Sequence, residues 1–359
     1  MGVIINKTAL IVLGMHRSGT SALAGTFSML GATHPATLSP EDQYNERGYW
    51  ESRQIWRFND ELLAFMGSAW DDWRPLNPDL SEPPATESFT QRAREIMQEE
   101  FGAAAVIVLK DPRLCRLTRF WFNVLDELGY DKKIVVPLRD PMEVALSLAG
   151  RNGFPLFKGL LLWLRYMLDT EAATRAVPRS IVGWPDFLND WRGATNKISQ
   201  NLDLSWPRLT DESAAEIDGF LTTDLRHHKS EEAALDTHPE VHEWVVTAYR
   251  TLKELALQPG SVQALSTLDN LRVTLDQSCR LLSLAGYERM IEEIRVQNQQ
   301  IQELRQAIES KDRESAEFLQ QIHSLQETLR ARDQLIAEKD SGESPVKHMI
   351  ANTIPNSEG

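Results

Sequence analysis

Between Ala9 and Ser21 five apolar residues run straight into a turn bracketed by Gly14 and Gly19, and a helix-patterned segment follows from Thr20. No other stretch constrains the fold as much. A strand that ends at a glycine loop and re-enters a helix turns backbone N–H groups and a helix N-terminus onto an anion. The two glycines enclose four residues, the spacing of a nucleotide-binding P-loop, and Ser21 fills that motif's Ser/Thr position. Position 20, however, is Thr, where ATP- and GTP-using loops place the Lys that reaches the β- and γ-phosphates. The fixed cation lies inside the loop instead, at Arg17. Such a loop can wrap a phosphate but lacks the group that manages a triphosphate. The expected anion is therefore not a nucleoside triphosphate.

Apolar runs of strand length recur at Ala9–Leu13, Ala105–Leu109 and Ile134–Leu138, with a weaker one at Ser180–Val182, and polar clusters follow them. Helix-patterned segments lie between and beyond them, at Thr20–Leu30, Glu51–Phe65, Glu87–Phe101, Leu117–Leu128 and Met142–Gly150. This alternation predicts an α/β fold, a P-loop-type parallel sheet flanked by helices, with ligands beyond the carboxyl ends of the strands. Pro75–Pro84 reads as a surface loop. Phe154–Met167 is Leu-rich but carries Lys158 and Arg165, and is too short to span a bilayer. A buried helix is expected there. The segment from Leu202 to Leu284 is helix-rich and less legible.

From Ile294 the pattern changes. Ile294, Ile301, Ile308, Ser315, Ile322, Leu329 and Ile336 fall every seven residues, and Leu304, Phe318 and Leu325 add a second seam. Heptads of this length predict a C-terminal coiled-coil helix and a homo-oligomer; the alternative is one amphipathic helix lying back on the domain. Lys311 and Arg332 interrupt the second seam, which weakens the pairing or restricts its register. The expected domains are 1–285, the P-loop-type unit; 286–340, the coiled coil; and 341–359, a disordered tail.

A net charge of −14 argues against non-specific nucleic-acid binding, so an anionic ligand needs a local cationic site. Cys115 and Cys279 lie far apart without metal-ligand spacing, which fits reduced thiols in the cytoplasm. No leader, membrane span or metal cluster is read.

The second informative segment runs from Ile134 to Ser147. An apolar strand delivers Arg139, an Asp140-Pro141 turn follows, and Ser147 comes eight residues after Arg139, about two turns along the next helix. A guanidinium fork and a hydroxyl suit a phosphate, although Arg-Asp-Pro turns are commonly structural. Paired with the Gly14 loop, the segment suggests a nucleotide phosphorylated on both its 5′ and 3′ sides.

With both motifs in hand, the chain resembles the sulfotransferases that use 3′-phosphoadenosine 5′-phosphosulfate (PAPS), most of all the bacterial and Golgi branches acting on glycans or tyrosine. The run Arg17, Ser18, Gly19, Thr20 and Ser21 resembles the family's 5′-phosphosulfate loop. Arg139 and Ser147 resemble its 3′-phosphate site. Lys110-Asp111-Pro112 is similar to a strand-end motif whose Lys lies near the sulfate, and Ile181–Leu188 resembles a later family strand and turn, with Trp184 replacing a Tyr. The resemblance covers roughly the first 230 residues. It implies PAPS as co-substrate, no metal, and a hydroxylated acceptor, a saccharide or glycolipid.

Sulfuryl transfer needs cations where charge grows on the leaving phosphate and a base for the acceptor hydroxyl. Arg17 and Lys110 are the expected cations, Lys110 being otherwise a surface charge at a strand end. Glu51 is the expected base, with Glu46 and Asp111 in reserve. The plainer reading of Glu51 is an acidic residue in the first turn of the next helix. His16 is expected to pack or to bond backbone, though it lies close enough to touch acceptor or sulfate. Trp50, Trp56, Trp70 and Trp73, with Tyr44 and Tyr49, either wall a sugar site or belong to the core. Arg226–Lys229 either closes over the nucleotide or ends a helix. The rival readings are a P-loop kinase or NTPase, and a non-catalytic scaffold acting through its coiled coil.

Overall fold

The computed structural model describes residues 7–77, 85–221, 232–282 and 288–340. Its centre is a sheet of four parallel strands, β1 (Lys7–Val12), β2 (Val106–Lys110), β3 (Tyr130–Leu138) and β4 (Arg179–Gly183), in the order β2-β1-β3-β4. All four apolar runs of the sequence became strands because helices cover the sheet on both faces, which lets each run bury every residue. The strand order reverses around β1, whose neighbours are β2 on one side and β3 on the other. That reversal opens a crevice at the carboxyl end of β1.

The register brings the polar strand ends together. Val12 pairs with Lys110 and with Val135, and Leu138 pairs with Gly183. The Gly14 loop, Lys110, Arg139 and Trp184 therefore leave the sheet at one edge.

The helices around it are α1 (Thr20–Met29), α2 (Arg53–Phe65), α3 (Glu87–Phe101), α4 (Leu114–Glu127), α5 (Pro141–Asn152), α6 (Leu156–Ala173), α7 (Trp184–Asn189), α8 (Trp191–Leu202), α9 (Asp211–Phe220), α10 (Glu232–Thr237), α11 (Glu243–Leu257) and α12 (Val262–Leu282). Leu10, Val12, Leu23 and Phe27 pack with Trp184 and Phe187 on one face of the sheet, while Ile11, Leu13, Phe58, Trp121 and Trp163 belong to the larger core on the other. α4 starts three residues before the predicted Leu117, and Leu117 itself has non-helical angles; the kink hides the first turn from a periodicity count. α6 is the buried helix expected from Phe154–Met167. Its Arg165 is 1% exposed and is satisfied by Asp276 at 2.6 Å, Asp169 at 3.2 Å and the Trp73 carbonyl at 2.7 Å.

The chain divides into two units, Met1–Arg280 and Leu281–Gly359. The second contains one helix, α13 (Glu288–Asp340), whose Ile301, Ile308, Ile322 and Leu329 are exposed on the single chain. The tail at 341–359, the basic run Arg226–Lys229 and part of the Pro75–Pro84 loop lie outside the described residues. Among the described residues no helix is long and apolar enough to cross a membrane.

Candidate active site

The loop between β1 and α1 holds its shape through two left-handed residues, Arg17 at φ 70° and Gly19 at φ 92°. Glycine is obligatory at 19 on a second ground. A Cβ there would stand 2.2 Å from the Trp184 ring, which α7 presents just past the end of β4. Gly14 is similarly pressed, since a Cβ would meet the Pro137 ring at 3.1 Å and the Thr20 methyl at 3.2 Å.

Arg17, Gly19, Thr20, Ser21, Lys110, Arg139 and Glu51 line one cleft. Ser147 joins them by accepting a hydrogen bond from Arg17 Nε at 2.9 Å. Arg17 Nη1 also donates to the Tyr44 carbonyl at 2.8 Å, and Arg139 Nη1 donates to the Arg17 carbonyl at 2.9 Å. The two anion grips foreseen at Arg17 and Arg139 are thus contiguous, with the Arg17 side chain reaching across to the serine of the other. Glu143 balances Arg139 through an ion pair of 2.9 Å. Ser18 is in the loop but fully buried, and its hydroxyl has no protein partner.

Lys110 is not a surface cation: it is 2% exposed. Its ammonium donates to Glu51 Oε1 at 2.5 Å, to the Tyr49 carbonyl at 3.0 Å and to Ser21 Oγ at 3.1 Å. Nor does Glu51 belong to the first turn of a helix. Ser52 is the N-cap of α2, accepting from the Gln54 and Ile55 N–H groups, and Glu51 precedes it. Its carboxyl is 8% exposed and burial pushes its pKa up, opposed chiefly by the Lys110 charge. A carboxylate held this way is a stronger proton acceptor than one in water.

Of the reserve bases, Glu46 lines the cleft. Asp111 does not. It accepts from Asn59 Nδ2 at 2.9 Å and from the Arg113 backbone N–H and Nη1 at 3.0 Å each, a buried bracket holding the β2–α4 turn. The tryptophans also depart from a sugar-stacking wall. Trp50 packs on Phe220, Trp70 on His16 and Phe154, and Trp56 lies beneath Arg57 and Arg113. Only Tyr44 and Tyr49 of that aromatic group line the cleft. Their loop is shaped by Asp42, which accepts from the Tyr44 and Asn45 N–H groups and from the Tyr49 hydroxyl at 2.7 Å.

His16 packs edge-on to Trp70 with centroids 4.7 Å apart, as foreseen, but its Nε2 is buried without a partner. Burial lowers its pKa well below 6.5, and the nearby charges of Arg113, Arg151, Lys110 and Arg17 act the same way. Arg151, at the end of α5, lines the cleft and was missed in the sequence. It follows Arg139, Glu143 and Ser147 at four-residue intervals, a polar stripe along one helix face that would have found it.

The fold and the cleft define an α/β protein with a modified phosphate loop and a cationic crevice at its strand ends. No protein-family model matches the chain and no curated protein matches its sequence. Among solved structures it is similar to a sulfotransferase domain from the Synechococcus PCC 7002 olefin synthase, at 16% identity over 68% of this chain and 88% of that one, with a TM-score of 0.37. It is also similar to a sulfotransferase domain from the curacin biosynthetic pathway, at 13% identity over 68% of this chain and 91% of that one, with a TM-score of 0.34. Likeness at these scores says nothing about chemistry, which the cleft itself must supply.

Proposed function

We propose that the chain is a sulfotransferase that moves a sulfuryl group from PAPS to an acceptor hydroxyl. The observation that carries this is the convergence of Arg17, Arg139, Ser147 and Lys110 on one cleft, with the buried Glu51 carboxylate 2.5 Å from the Lys110 ammonium. Glu51 takes the acceptor proton as the acceptor oxygen bonds to sulfur. The bond from sulfur to the bridging oxygen breaks, and the leaving 5′-phosphate keeps the electron pair. Arg17 and the N–H groups of the loop neutralise that phosphate. Lys110 faces the sulfuryl oxygens, and Arg139 with Ser147 holds the 3′-phosphate.

The kinase or NTPase reading is weaker on physical grounds. Ser21 Oγ, the atom that would ligate Mg²⁺, accepts from Lys110 Nζ at 3.1 Å and from Asn45 Nδ2 at 3.3 Å. A cation already sits against it. A saccharide or glycolipid acceptor stays an expectation of the family resemblance; with the tryptophans packed elsewhere, the cleft supports only an acceptor hydroxyl. The buried, free Cys115 and Cys279 suit a reducing cytoplasm.

The test is thermal. Adenosine 3′,5′-bisphosphate at about 100 times its Kd should stabilise the folded chain by about 2.7 kcal/mol, and ATP at the same concentration by far less. Equal shifts would remove the 3′-phosphate site. Transfer of labelled sulfate from PAPS to hydroxyl acceptors, lost in Arg17→Ala, separates an enzyme from a scaffold.

A further inference from the structure

Four side chains at four-residue intervals, Arg139, Glu143, Ser147 and Arg151, run from the end of β3 along α5. The first three are accounted for within the cleft. Arg139 pairs with Glu143, and Ser147 accepts from Arg17. Arg151 is not accounted for. Its Nε donates to the neutral side chain of Asn152 at 2.7 Å, and it pairs with no carboxylate among the described residues. Burial lowers its pKa, the mark of a charge withdrawn from water without a counterion. In a chain of net charge −14 an unneutralised guanidinium lining a cleft is a costly arrangement without an anion to meet it.

Its position says which anion. Arg139 lies over Trp184, 5.9 Å from the ring centre, beside Gly19 and the phosphate loop. Arg151 lies over a different indole, Trp70, at 5.7 Å, and the other neighbour of Trp70 is His16, whose buried Nε2 has no partner. Lys110 and Arg17 stand in the same cleft. The two phosphorylated ends of a bisphosphorylated nucleotide are served by Arg17 and by Arg139 with Ser147. Neither needs Arg151.

Resting on the sulfotransferase reading, we propose that Arg151 and His16 form a separate anion subsite on the acceptor side of the cleft, so that the acceptor is a hydroxyl compound carrying its own anionic group, such as a carboxylate, phosphate or sulfate ester. The guanidinium supplies a planar fork for that group. The neutral imidazole, protonated on Nε2, adds a hydrogen bond without adding charge.

Calorimetry tests this on the full chain saturated with adenosine 3′,5′-bisphosphate and titrated with inorganic sulfate as the probe. The loaded wild type should take up one sulfate, and Arg151→Gln should bind it about tenfold more weakly or worse, the scale of one lost charge-assisted hydrogen bond. Arg151→Lys should fall between them. The affinity for the bisphosphate itself should stay within about twofold in Arg151→Gln, while Arg139→Gln loses about tenfold or more. Sulfate binding that is absent in the wild type, or equal in Arg151→Gln, overturns the subsite, the latter placing the anion at Lys110. Bisphosphate affinity that falls as far in Arg151→Gln as in Arg139→Gln also overturns it, by assigning Arg151 to the nucleotide. If the wild type binds no bisphosphate, the sulfotransferase reading itself falls and the subsite with it. Matching melting temperatures for the unliganded variants exclude a folding defect as the cause.

Discussion

Glu51 and Lys110 leave water together, and neither is tolerable alone. Removing one partner of a buried ion pair strands the other, at a cost of about 3–5 kcal/mol. Lys110→Ala should therefore lower unfolding free energy by about that much. The double variant Lys110→Met with Glu51→Gln should regain most of it while remaining inactive. Urea unfolding measures both, and a Lys110→Ala loss within error of zero would show that the pair is solvated. His16 gives a second prediction, in pH. Its folded-state pKa lies below 6.5, so the unfolded chain binds a proton that the folded chain refuses. Its contribution is therefore present above pH 6.5 and is lost as pH falls towards the folded value. The slope there is at most about 1.4 kcal/mol per pH unit. His16→Phe should flatten it; an unchanged slope would point to another group. Among these residues, Arg17, Lys110, Arg139 and Ser147 were legible because each sits at a fixed offset from an apolar strand. Asp111 was misleading, since nothing in its sequence neighbourhood announces that Asn59, Arg113 and Asp60 form a bracket around the turn.

At the scale of elements, the loop and the helix behind it act as one piece. Gly19 is both the left-handed N-cap of α1 and the seat of the Trp184 ring. Gly19→Ala should abolish bisphosphate binding and destabilise the chain by at least about 1–3 kcal/mol from backbone strain and overpacking together. Wild-type nucleotide affinity in that variant would show that Trp184 swings aside freely. The strands were readable to within a few residues because burial on both faces leaves uninterrupted apolar runs. The segment from Asp42 to Trp50 was not readable. Its shape depends on the Asp42 side chain, on Tyr49 bonding back to it, and on a positive φ of 55° at Trp50. None of these has a periodic signature. Arg151 escaped notice for another reason: a cation in the last turn of a helix reads as a favourable partner of the dipole, which conceals a role in the cleft.

For the whole molecule, α13 sets the question of assembly. Its isoleucines repeat every seven residues and are exposed on the single chain. A second copy would bury them as a coiled-coil seam. The paired substitutions Ile301→Asp and Ile308→Asp should then reduce the mass found by light scattering to that of one chain while leaving nucleotide binding in the other unit intact. A wild-type mass already equal to one chain would end the idea.

The cleft, finally, has two unequal walls. One is α5, where hydrogen-bonded turns hold Ser147 and Arg151 about 6 Å apart along the axis and admit no adjustment. The other is the stretch from Gln43 to Tyr49, fastened mainly through Asp42. Changes of substrate preference during descent would have to be written into this second wall, leaving the helical one as an inherited constant.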